Sequence, residues 1–545
     1  MPEYADLSVL LVDPNPSMRA SLRNMLNQSG INRVDDAVSS GTAIRQITNK
    51  SYDVVLCEYD LGSGSSDNGQ DGQQLLEDLR HHKLIGPWTI FIMLTSEGVY
   101  SKVISAAELT PTDYVLKPFT VDVLLQRITR AIDKRAVFMP VYQLIGVGNL
   151  RQAIADCLDA EQRQPRQATD FTRLRAELLC NLGELSDAAQ VYQTILMNKP
   201  VGWAHLGLAR CQFGLQRYAE AQQTLEILLE HNPRLMAAYD LLAQTHQAMG
   251  QAVAAKKILE DAVAISPHLV RRLRTLGEVA YETGDVGVAE KAFKQVVSKA
   301  KYSEFRDPED HLNLVKALVK KGDAIQASGV IRDLERSMRG NANADACRAI
   351  AAGLLMEMSG NLQGAASELI SAVSAVGSSR GLSTGLKLGL VHSCIKNKLD
   401  AQASALMVNL MNDTDSGVSM DDAVEVFEKA GRHDLAQDVG AEIERQVEEL
   451  LNDATEKRNQ GDLRAAVDTL SAALRKAPAN LSLLPAAASA MLKQLDDLGW
   501  EAPLAEQCHF LLERIRKLDP AHPTLETLAA QYSSTQRKYG ISIVA

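Results

Sequence analysis

The sequence predicts an α/β doubly wound fold over residues 1–135, followed by an all-α superhelix of helical repeats. Strands and helices alternate up to about residue 135, whereas beyond about residue 140 strand signals vanish and a period near 34 residues appears. A chain of 545 residues is too long for one hydrophobic core, so several domains or an array of repeats are expected.

The first 135 residues alternate between apolar strands and amphipathic helices. Apolar runs predict strands at 7–13, 52–61, 88–96 and 113–119, and helical spacing predicts helices at 17–30, 72–82 and 121–134. This alternation implies right-handed βαβ units and a parallel sheet covered on both faces. The carboxyl ends of the strands form one edge, where ligands of such sheets bind. A polar group follows each of the four predicted strands there, namely Asp13, Glu58, Thr95 with Ser96, and Lys117.

This arrangement resembles the receiver domain of two-component response regulators. The motifs that carry the resemblance are VDPNPSMR at 12–19, LCEYDL at 56–61, LTS at 94–96 and DYVLKPF at 113–119. The resemblance covers residues 7–135 and implies a flavodoxin-like sheet of five parallel strands. It also implies site roles: Glu58 stands at the phosphoacceptor position, the acidic pocket holds Asp13 and Asp60, and the switch residues are Thr95, Tyr114 and Lys117.

Two positions depart from the receiver pattern. A receiver has two adjacent acids after its first strand that hold a divalent metal, but Pro14 occupies the second place here. Magnesium often binds through one or two carboxylates, so we expect at most weak Mg²⁺ binding at Asp13 and Glu58, and no other cofactor. Glu58 replaces the phosphoacceptor Asp and puts its carboxylate one methylene further out. Because positioning supplies most of the catalysis in phosphoryl transfer, a shift of about 1 Å can cost about 100-fold in rate.

Three interpretations of Glu58 stay open. The carboxylate could form a plain ion pair with Lys117 that holds the sheet edge together. It could instead resemble part of a phospho-aspartate and bias the switch, although a carboxylate carries one negative charge against about 1.5 to 2 for a phosphate. Phosphorylation could also persist, on Glu58 or on nearby Asp60. Tyr114 fits ordinary packing as well as it fits a switch rotamer.

A polar segment follows the third predicted element. Residues 62–72 are rich in Gly, Ser and Asp, which predicts a mobile loop over the strand ends. A metal-binding role for Asp67 or Asp71 is a further hypothesis for this loop.

Beyond residue 140 a small-residue signature recurs. Each copy has a Gly, an Ala five residues later and an apolar or aromatic residue four further on, and copies begin at Gly183, Gly250, Gly284, Gly322, Gly360 and Gly461, with weaker ones at Gly148 and Gly431. This pattern resembles tetratricopeptide repeats, and we count eight to ten motifs across 140–480. The Gly permits a left-handed turn between the two helices of a unit, and the Ala lies where those helices touch. Such units stack into a superhelix with a concave groove.

The predicted domains are a receiver-like domain at 1–135, a linker at 136–141, a tetratricopeptide solenoid at 142–440 and C-terminal helical repeats at 441–545. Residues 433–460 contain no Pro and carry an apolar stripe at helical spacing, which predicts one long helix joining the last two regions. Two helices meeting at an unmarked turn are the alternative. The stripe is also a candidate dimer seam.

The repeat register places several charged residues on the groove. The cations are Arg271, Arg274, Lys316 and Lys320, and Glu278 lies among them. These cations could bind an acidic segment of a partner protein. The alternative is a solvated helix face that binds nothing.

Composition excludes several classes of protein. Hydrophobic residues make up 46% and charged residues 23%, which is a globular composition rather than a disordered one. The net charge of −11 and the lack of a long basic run argue against nucleic-acid binding. The seven cysteines include no CxxC pair, and no stretch of 18 apolar residues occurs, so we expect a reduced, cytoplasmic protein without membrane insertion.

These observations predict a bacterial two-component-type signalling protein that acts as a protein–protein interaction scaffold or adaptor. Its receiver is expected to work without phosphorylation, and its partners are other proteins of the pathway that bind the repeat groove. The alternative is a phosphorylation-responsive regulator that retains phosphorelay activity. No catalytic residue is expected, and the protein is predicted not to be an enzyme.

Overall fold

The computed structural model describes residues 6–61, 71–96, 111–267, 269–300, 306–378, 381–413, 416, 418, 420–476, 480–519 and 522–539. Two compact units divide the chain, residues 1–321 and 322–545. Within the described residues, no helix has both the length and the apolar character needed to cross a bilayer.

The first unit opens with a five-stranded parallel sheet, as predicted. Its strands are β1 (Ser8–Val12), β2 (Arg33–Ala37), β3 (Val54–Glu58), β4 (Ile90–Ser96) and β5 (Asp113–Lys117), in the spatial order β2-β1-β3-β4-β5. The apolar pattern missed β2, because this edge strand pairs only with β1 and has the polar sequence RVDDA. Backbone pairing with β1, from Ser8–Arg33 to Val12–Ala37, defines this strand more than its side chains do.

Helices cover both faces of the sheet. They are α1 (Pro16–Gln28), α2 (Ser40–Asn49), α3 (Gly72–His81) and α4 (Val121–Gly146). Alternate β1 side chains enter separate cores: Val9 and Leu11 pack with α1 and α4, whereas Leu10 and Val12 pack with α2 and α3. This alternation follows from the two-residue period of a strand, and it buries β1 on both faces of the sheet.

Helix α4 corrects the predicted linker at 136–141. The helix continues to Gly146 without a break and contains Pro140. Its second half belongs to the repeat core, where the ring of Phe138 stacks on Phe171 with centroids 4.1 Å apart and Val141 is buried. Pro140 removes one backbone hydrogen bond from the helix, and this apolar burial offsets the loss. One helix therefore belongs to both the sheet domain and the first repeat.

The repeat helices of the first unit follow directly. They are α5 (Leu150–Arg163), α6 (Ala168–Leu182), α7 (Leu185–Asn198), α8 (Gly202–Gly214), α9 (Tyr218–His231), α10 (Met236–Ala248), α11 (Ala252–Ile265), α12 (Val270–Glu282), α13 (Val286–Ala300) and α14 (Pro308–Lys321). Consecutive helices pack together, and so do alternate ones such as α6 with α8 and α12 with α14. The first helices of successive repeats thus line one face.

The predicted small-residue signature has the expected structure. Gly250 and Gly284 adopt φ values of 74° and 80°, and Ala255 and Ala289 are fully buried between helices. In the turn between α8 and α9, Gln216 takes the left-handed conformation with φ 61°. A left-handed turn is thus kept where glycine is absent.

The second unit contains helices throughout its described residues. They are α15 (Ala324–Ser337), α16 (Ala342–Met358), α17 (Leu362–Ser378), α18 (Thr384–Lys396), α19 (Asp400–Asn412), α20 (Met420–Lys429), α21 (His433–Asn459), α22 (Leu463–Lys476), α23 (Leu483–Leu498), α24 (Ala502–Leu518) and α25 (Leu525–Lys538). The long helix predicted over 433–460 is confirmed as α21. Its apolar stripe, including Leu435, Ile443 and Val447, is buried within the chain.

Candidate functional site

The candidate site lies where the parallel strands end. Asp13 follows β1, Glu58 is the last residue of β3, Thr95 lies near the end of β4, and Lys117 ends β5. The ladders bring these ends to one edge, since β3 pairs Glu58 with Leu94 of β4, and β4 pairs Ser96 with Lys117 of β5.

Lys117 contacts two carboxylates at this edge. Its Nζ donates a hydrogen bond to Glu58 Oε2, and Asp13 Oδ2 lies 3.6 Å from the same nitrogen. Asp13 Oδ1 accepts the backbone N–H of Asn15 at 2.7 Å, which fixes the carboxylate against the turn that starts α1. The side chains of Lys117, Glu58 and Asp13 are 23%, 13% and 3% exposed. Two anions therefore share one cation in a partly desolvated place, where Coulombic attraction is stronger than at the open surface.

The charge at this edge affects its neighbours. Burial raises the pKa of the Cys57 thiol well above its ordinary value, and the nearby carboxylates of Glu58, Asp71 and Asp13 raise it further. Cys57 therefore stays a neutral thiol beneath the site.

A second carboxylate cluster lies beside Glu58, at the start of α3. Asp71 caps this helix by accepting the Gln74 N–H at 2.8 Å, and Tyr59 also donates to it. Burial raises the pKa of Asp71 to about 6, and the charge of Asp60 adds to the shift. Asp60 itself is exposed, and its backbone N–H donates to Glu58 Oε1 at 3.2 Å. The structure thus gives Asp71 a capping role, while Asp67 and the rest of the predicted loop over 62–70 lie outside the described residues.

The two remaining switch candidates occupy different environments. Thr95 is fully buried, and its hydroxyl lies 3.4 Å from the backbone oxygen of Ser96. Tyr114 is half-buried and packs against the core cluster that includes Leu75 and Met93. The structure describes one position of each side chain, so their switching roles stay predictions.

The donor set fits a magnesium ion poorly. Pro14 supplies no oxygen from its side chain, and the ammonium of Lys117 already lies against both carboxylates that would bind the metal. Over the described residues, no group of three or more His, Cys, Asp or Glu side chains is arranged to hold a metal. A cation that prefers near-octahedral oxygen ligands would have to displace Lys117.

The predicted groove cations are engaged within the first unit. Arg274 makes a two-pronged ion pair with Asp310, with Nε–Oδ1 and Nη2–Oδ2 distances of 2.6 and 2.9 Å. Lys320 lies 4.4 Å from the ring centroid of Tyr281 and donates to its backbone oxygen at 3.1 Å. Lys316 lies 3.4 Å from the Asn313 side-chain oxygen. Arg274 and Lys320 therefore join neighbouring repeats, a contribution that their surface pattern did not reveal.

Arg271 meets the sheet domain instead. Its Nη1 lies 3.4 Å from His81 Nδ1 at the end of α3. A cavity of about 490 Å³ separates α3 from the first helices of three repeats, with Arg80 and Arg210 among its lining residues. Burial and the charge of Arg271 lower the pKa of His81. Helix α3 thus contacts the repeat face that was predicted to bind partners.

Sequence reasoning missed one ion pair on this face. The Arg272 side chain is fully buried and pairs with Asp240 on the preceding repeat, with an Nε–Oδ1 distance of 2.8 Å. Arg272 takes an inward-facing position of α12 beside Leu273 and Leu276, where an apolar residue is the usual occupant. Only the spacing of Asp240 and Arg272, 32 residues apart and close to one repeat period, could have suggested the pair.

The comparisons with known proteins agree with this architecture. Residues 9–129 match the family model of the response regulator receiver domain, and residues 203–234 match a tetratricopeptide repeat model. The chemotaxis protein CheY-3 of Vibrio cholerae is 24% identical over 129 residues, which are 24% of this chain and 94% of that protein. The chemotaxis protein CheY of Pseudomonas aeruginosa is 25% identical over 128 residues, covering 24% and 98%.

A solved structure resembles the repeat region. A tetratricopeptide repeat protein from Parabacteroides merdae has 16% identity and a TM-score of 0.31, and the alignment covers 44% of this chain and 92% of that one. The two family models, rather than this structural likeness, identify a receiver domain at residues 9–129 and a tetratricopeptide repeat at residues 203–234, in the order that the sequence predicted. The chain has the organisation of a signalling protein with interaction repeats.

Proposed function

We propose that this chain is a protein–protein interaction scaffold or adaptor of bacterial two-component-type signalling, and that its receiver domain acts without phosphorylation. The observation that carries the proposal is the contact of Glu58 with Lys117, with Asp13 at 3.6 Å from the same ammonium. Phosphorylation of an Asp would add negative charge at this edge and move it outward, whereas Glu58 holds a single permanent charge one methylene further out than Asp would. Because the lysine already pairs with it, the state of the edge does not depend on a phosphoryl donor.

The fold offers a route by which the receiver acts through contact. Helix α4 belongs to both the receiver and the first repeat, and Phe138 and Val141 bury it in the repeat core. Helix α3, which Asp71 caps beside the site, ends at His81 against Arg271. The receiver is therefore a docking module that covers part of the repeat face and controls access to it.

Phosphorylation is tested directly on the whole chain. The protein is incubated with acetyl phosphate and Mg²⁺, or with beryllofluoride and Mg²⁺, and its intact mass and the peptide over residues 52–62 are measured. We expect no mass increase and no spectroscopic change on adding beryllofluoride. A phosphoryl group mapped to residues 52–62 would overturn phosphorylation independence.

A matched variant checks the conditions of this assay. Pro14→Asp combined with Glu58→Asp restores both carboxylates that the receiver pattern has at these positions. We expect this variant to bind Mg²⁺ and to gain the phosphoryl mass at residue 58. Labelling of the variant but not of the natural chain supports the proposal.

The second candidate is a phosphorylation-responsive regulator. Asp13, Thr95 and Lys117 all stand at the receiver positions, and Asp60 is an exposed acid two residues after Glu58. The same mass measurement distinguishes this candidate, because it requires an acyl phosphate on Glu58 or Asp60.

The proposal places the partners on the repeat face and the protein in the cytoplasm, with no catalytic activity of its own. Partners captured by the full-length chain are compared with those captured by Arg271→Glu. We expect Arg271→Glu, a change at an exposed groove position, to capture less partner protein than the natural chain does. The matched control Arg163→Glu changes a side chain on α5 that is 78% exposed, and it should capture as much partner as the natural chain. Equal capture by both variants would exclude the groove cation as a determinant.

A further inference from the structure

Two cysteines from different repeats lie together in the first unit. Cys180 is near the end of α6 and Cys211 is near the end of α8, and their sulfur atoms are 3.5 Å apart. Helices α6 and α8 are the first helices of consecutive repeats and contact each other. The pair therefore lies across the boundary between two consecutive repeat units.

The surroundings hold the two sulfurs in place. Both belong to an apolar cluster with Leu179 and Leu208, in which Cys211 is fully buried and Cys180 is half-buried. Tyr192 closes the cluster, with its ring directly against Gly207, where an added Cβ would lie 2.3 Å from a ring atom. Neighbours this tightly packed leave the thiols little freedom to separate.

The two thiols differ in chemical character. A hydrogen bond from the Cys211 thiol lowers the pKa of Cys180, and a further one from the Tyr192 hydroxyl acts in the same direction. The same contact, together with burial, raises the pKa of Cys211. Cys180 is thus the more acidic and the more accessible sulfur, which are the properties of an attacking thiol, and Cys211 is positioned to resolve the product.

We propose that Cys180 and Cys211 are a site of reversible oxidation by hydroperoxides, at which a disulfide joins two consecutive repeats. The Cys180 thiolate attacks one oxygen of the peroxide, the O–O bond breaks, and hydroxide leaves to give a sulfenic acid. The Cys211 sulfur then attacks the Cys180 sulfur, and the sulfenic hydroxyl leaves with the Cys211 proton as water. In the net reaction two thiols are oxidised and one hydrogen peroxide is reduced to two waters.

The geometry requires only a small movement. A disulfide has an S–S distance of about 2.05 Å, so the sulfurs, now 3.5 Å apart, must approach each other by about 1.5 Å. The resulting bond closes a segment with a sequence separation of 31 residues, and it fixes the repeat face near Arg210, which lines the cavity beside α3. Oxidation would therefore make this part of the partner-facing surface more rigid.

The test uses the full-length chain and hydrogen peroxide. After mild oxidation we expect a mass decrease of about 2 Da and, in an unreduced digest, one linked peptide pair that contains residues 180 and 211. Dithiothreitol should reverse both changes. Hydrogen exchange in α6–α8 should slow by about tenfold or more in the oxidised form, because the crosslink opposes local opening.

Variants distinguish a pair from isolated thiols. Cys211→Ser should leave a sulfenic acid on Cys180 that dimedone traps, whereas Cys157→Ser, a change at another buried cysteine, should still form the link. The measurement on the natural chain stands even where a variant fails to fold. Oxidised natural protein without the 180–211 link, or with Cys180 trapped by dimedone as strongly as in Cys211→Ser, would overturn the proposal.

Discussion

Replacing Arg274 by Met should destabilise the repeats around α12 and α14 in a pH-dependent way. Arg274 is the partner of Asp310, whose side chain is only 1% exposed. Removing one member of a buried ion pair typically costs about 3–5 kcal/mol, because the other charge is left without compensation. Methionine keeps much of the apolar volume, so the missing charge accounts for most of the loss.

The magnitude has an upper limit set by protonation. Burial raises the pKa of Asp310 from its ordinary value of 3.8 even beside Arg274, and without the arginine the pKa rises further. Protonating a carboxyl of pKa 3.8 costs at most about 4 kcal/mol at pH 7 and about 1.6 kcal/mol at pH 5, at about 1.36 kcal/mol per pH unit. Since the raised pKa favours the protonated folded state, the destabilisation should grow as pH rises from 5 to 7.

Hydrogen exchange followed by mass spectrometry measures this loss of stability helix by helix. A local measurement is needed because the repeats of such an array need not unfold together. After correction for the intrinsic pH dependence, peptides of α12 and α14 should exchange up to about 1,000-fold faster at pH 7 and about 15-fold faster at pH 5 than in the natural chain. The control is Arg163→Met, which removes an exposed pair with Asp159 and should cost less than about 1 kcal/mol. Combining Arg274→Met with Asp310→Leu should recover most of the loss. Equal exchange in the two single variants, or an effect independent of pH, would refute this reasoning.

Three further predictions concern stability. Burial gives Asp71 a folded-state pKa of about 6 against an ordinary 3.8, so the free energy of unfolding of the receiver should fall by up to about 3 kcal/mol as pH rises from 4 to 6. Denaturant unfolding of Asp71→Asn should show no such dependence on pH, and an unchanged dependence would contradict this assignment. Gly207→Ala would put a Cβ into the Tyr192 ring and should cost about 1–3 kcal/mol, whereas Gly287→Ala, with only one contact at 3.9 Å, should be neutral or stabilising; similar melting of both variants would contradict the clash. Glu58→Gln removes one of the two anions next to Lys117 and should cost about 1.5–3 kcal/mol, seen as faster hydrogen exchange in β3 and β5. Unchanged exchange would mean that the contact between Glu58 and Lys117 adds no stability.

Much of the fold followed from local patterns. Burial leaves a local pattern in the sequence, because residues that face the core recur at the period of a strand or a helix. The four apolar strands, the helices between them and the repeated Gly and Ala positions could therefore be predicted from short stretches of sequence. The edge strand β2 escaped, because a polar strand paired on one side leaves little apolar signal. The linker at 136–141 was wrong for a different reason: Pro140 indicates a break locally, but Phe138 and Val141 are buried by residues far along the chain.

The sequence predicted which residues form the candidate site better than it predicted the contacts between them. The ends of parallel strands must meet, so Asp13, Glu58 and Lys117 could be brought to one edge from sequence. Lys117 on β5 must reach across β4 to contact Glu58 on β3. The positions of these residues in the sequence do not give the distance between the ammonium and each carboxylate. The same limit applies to Asp71, which was considered as a metal ligand and instead caps α3.

The sequence by itself determined the receiver followed by repeats, the acid at residue 58, the lysine at 117 and the phase of the helical pairs, because each depends on residue type or on short-range periodicity. Only the tertiary structure decided that α4 is shared, that Arg274 serves Asp310, that α3 meets Arg271 and that Cys180 meets Cys211. Those contacts join residues 31 to 190 positions apart or cross a domain boundary. They arise when packing selects among many partners of similar chemistry, a choice made by the folded chain as a whole.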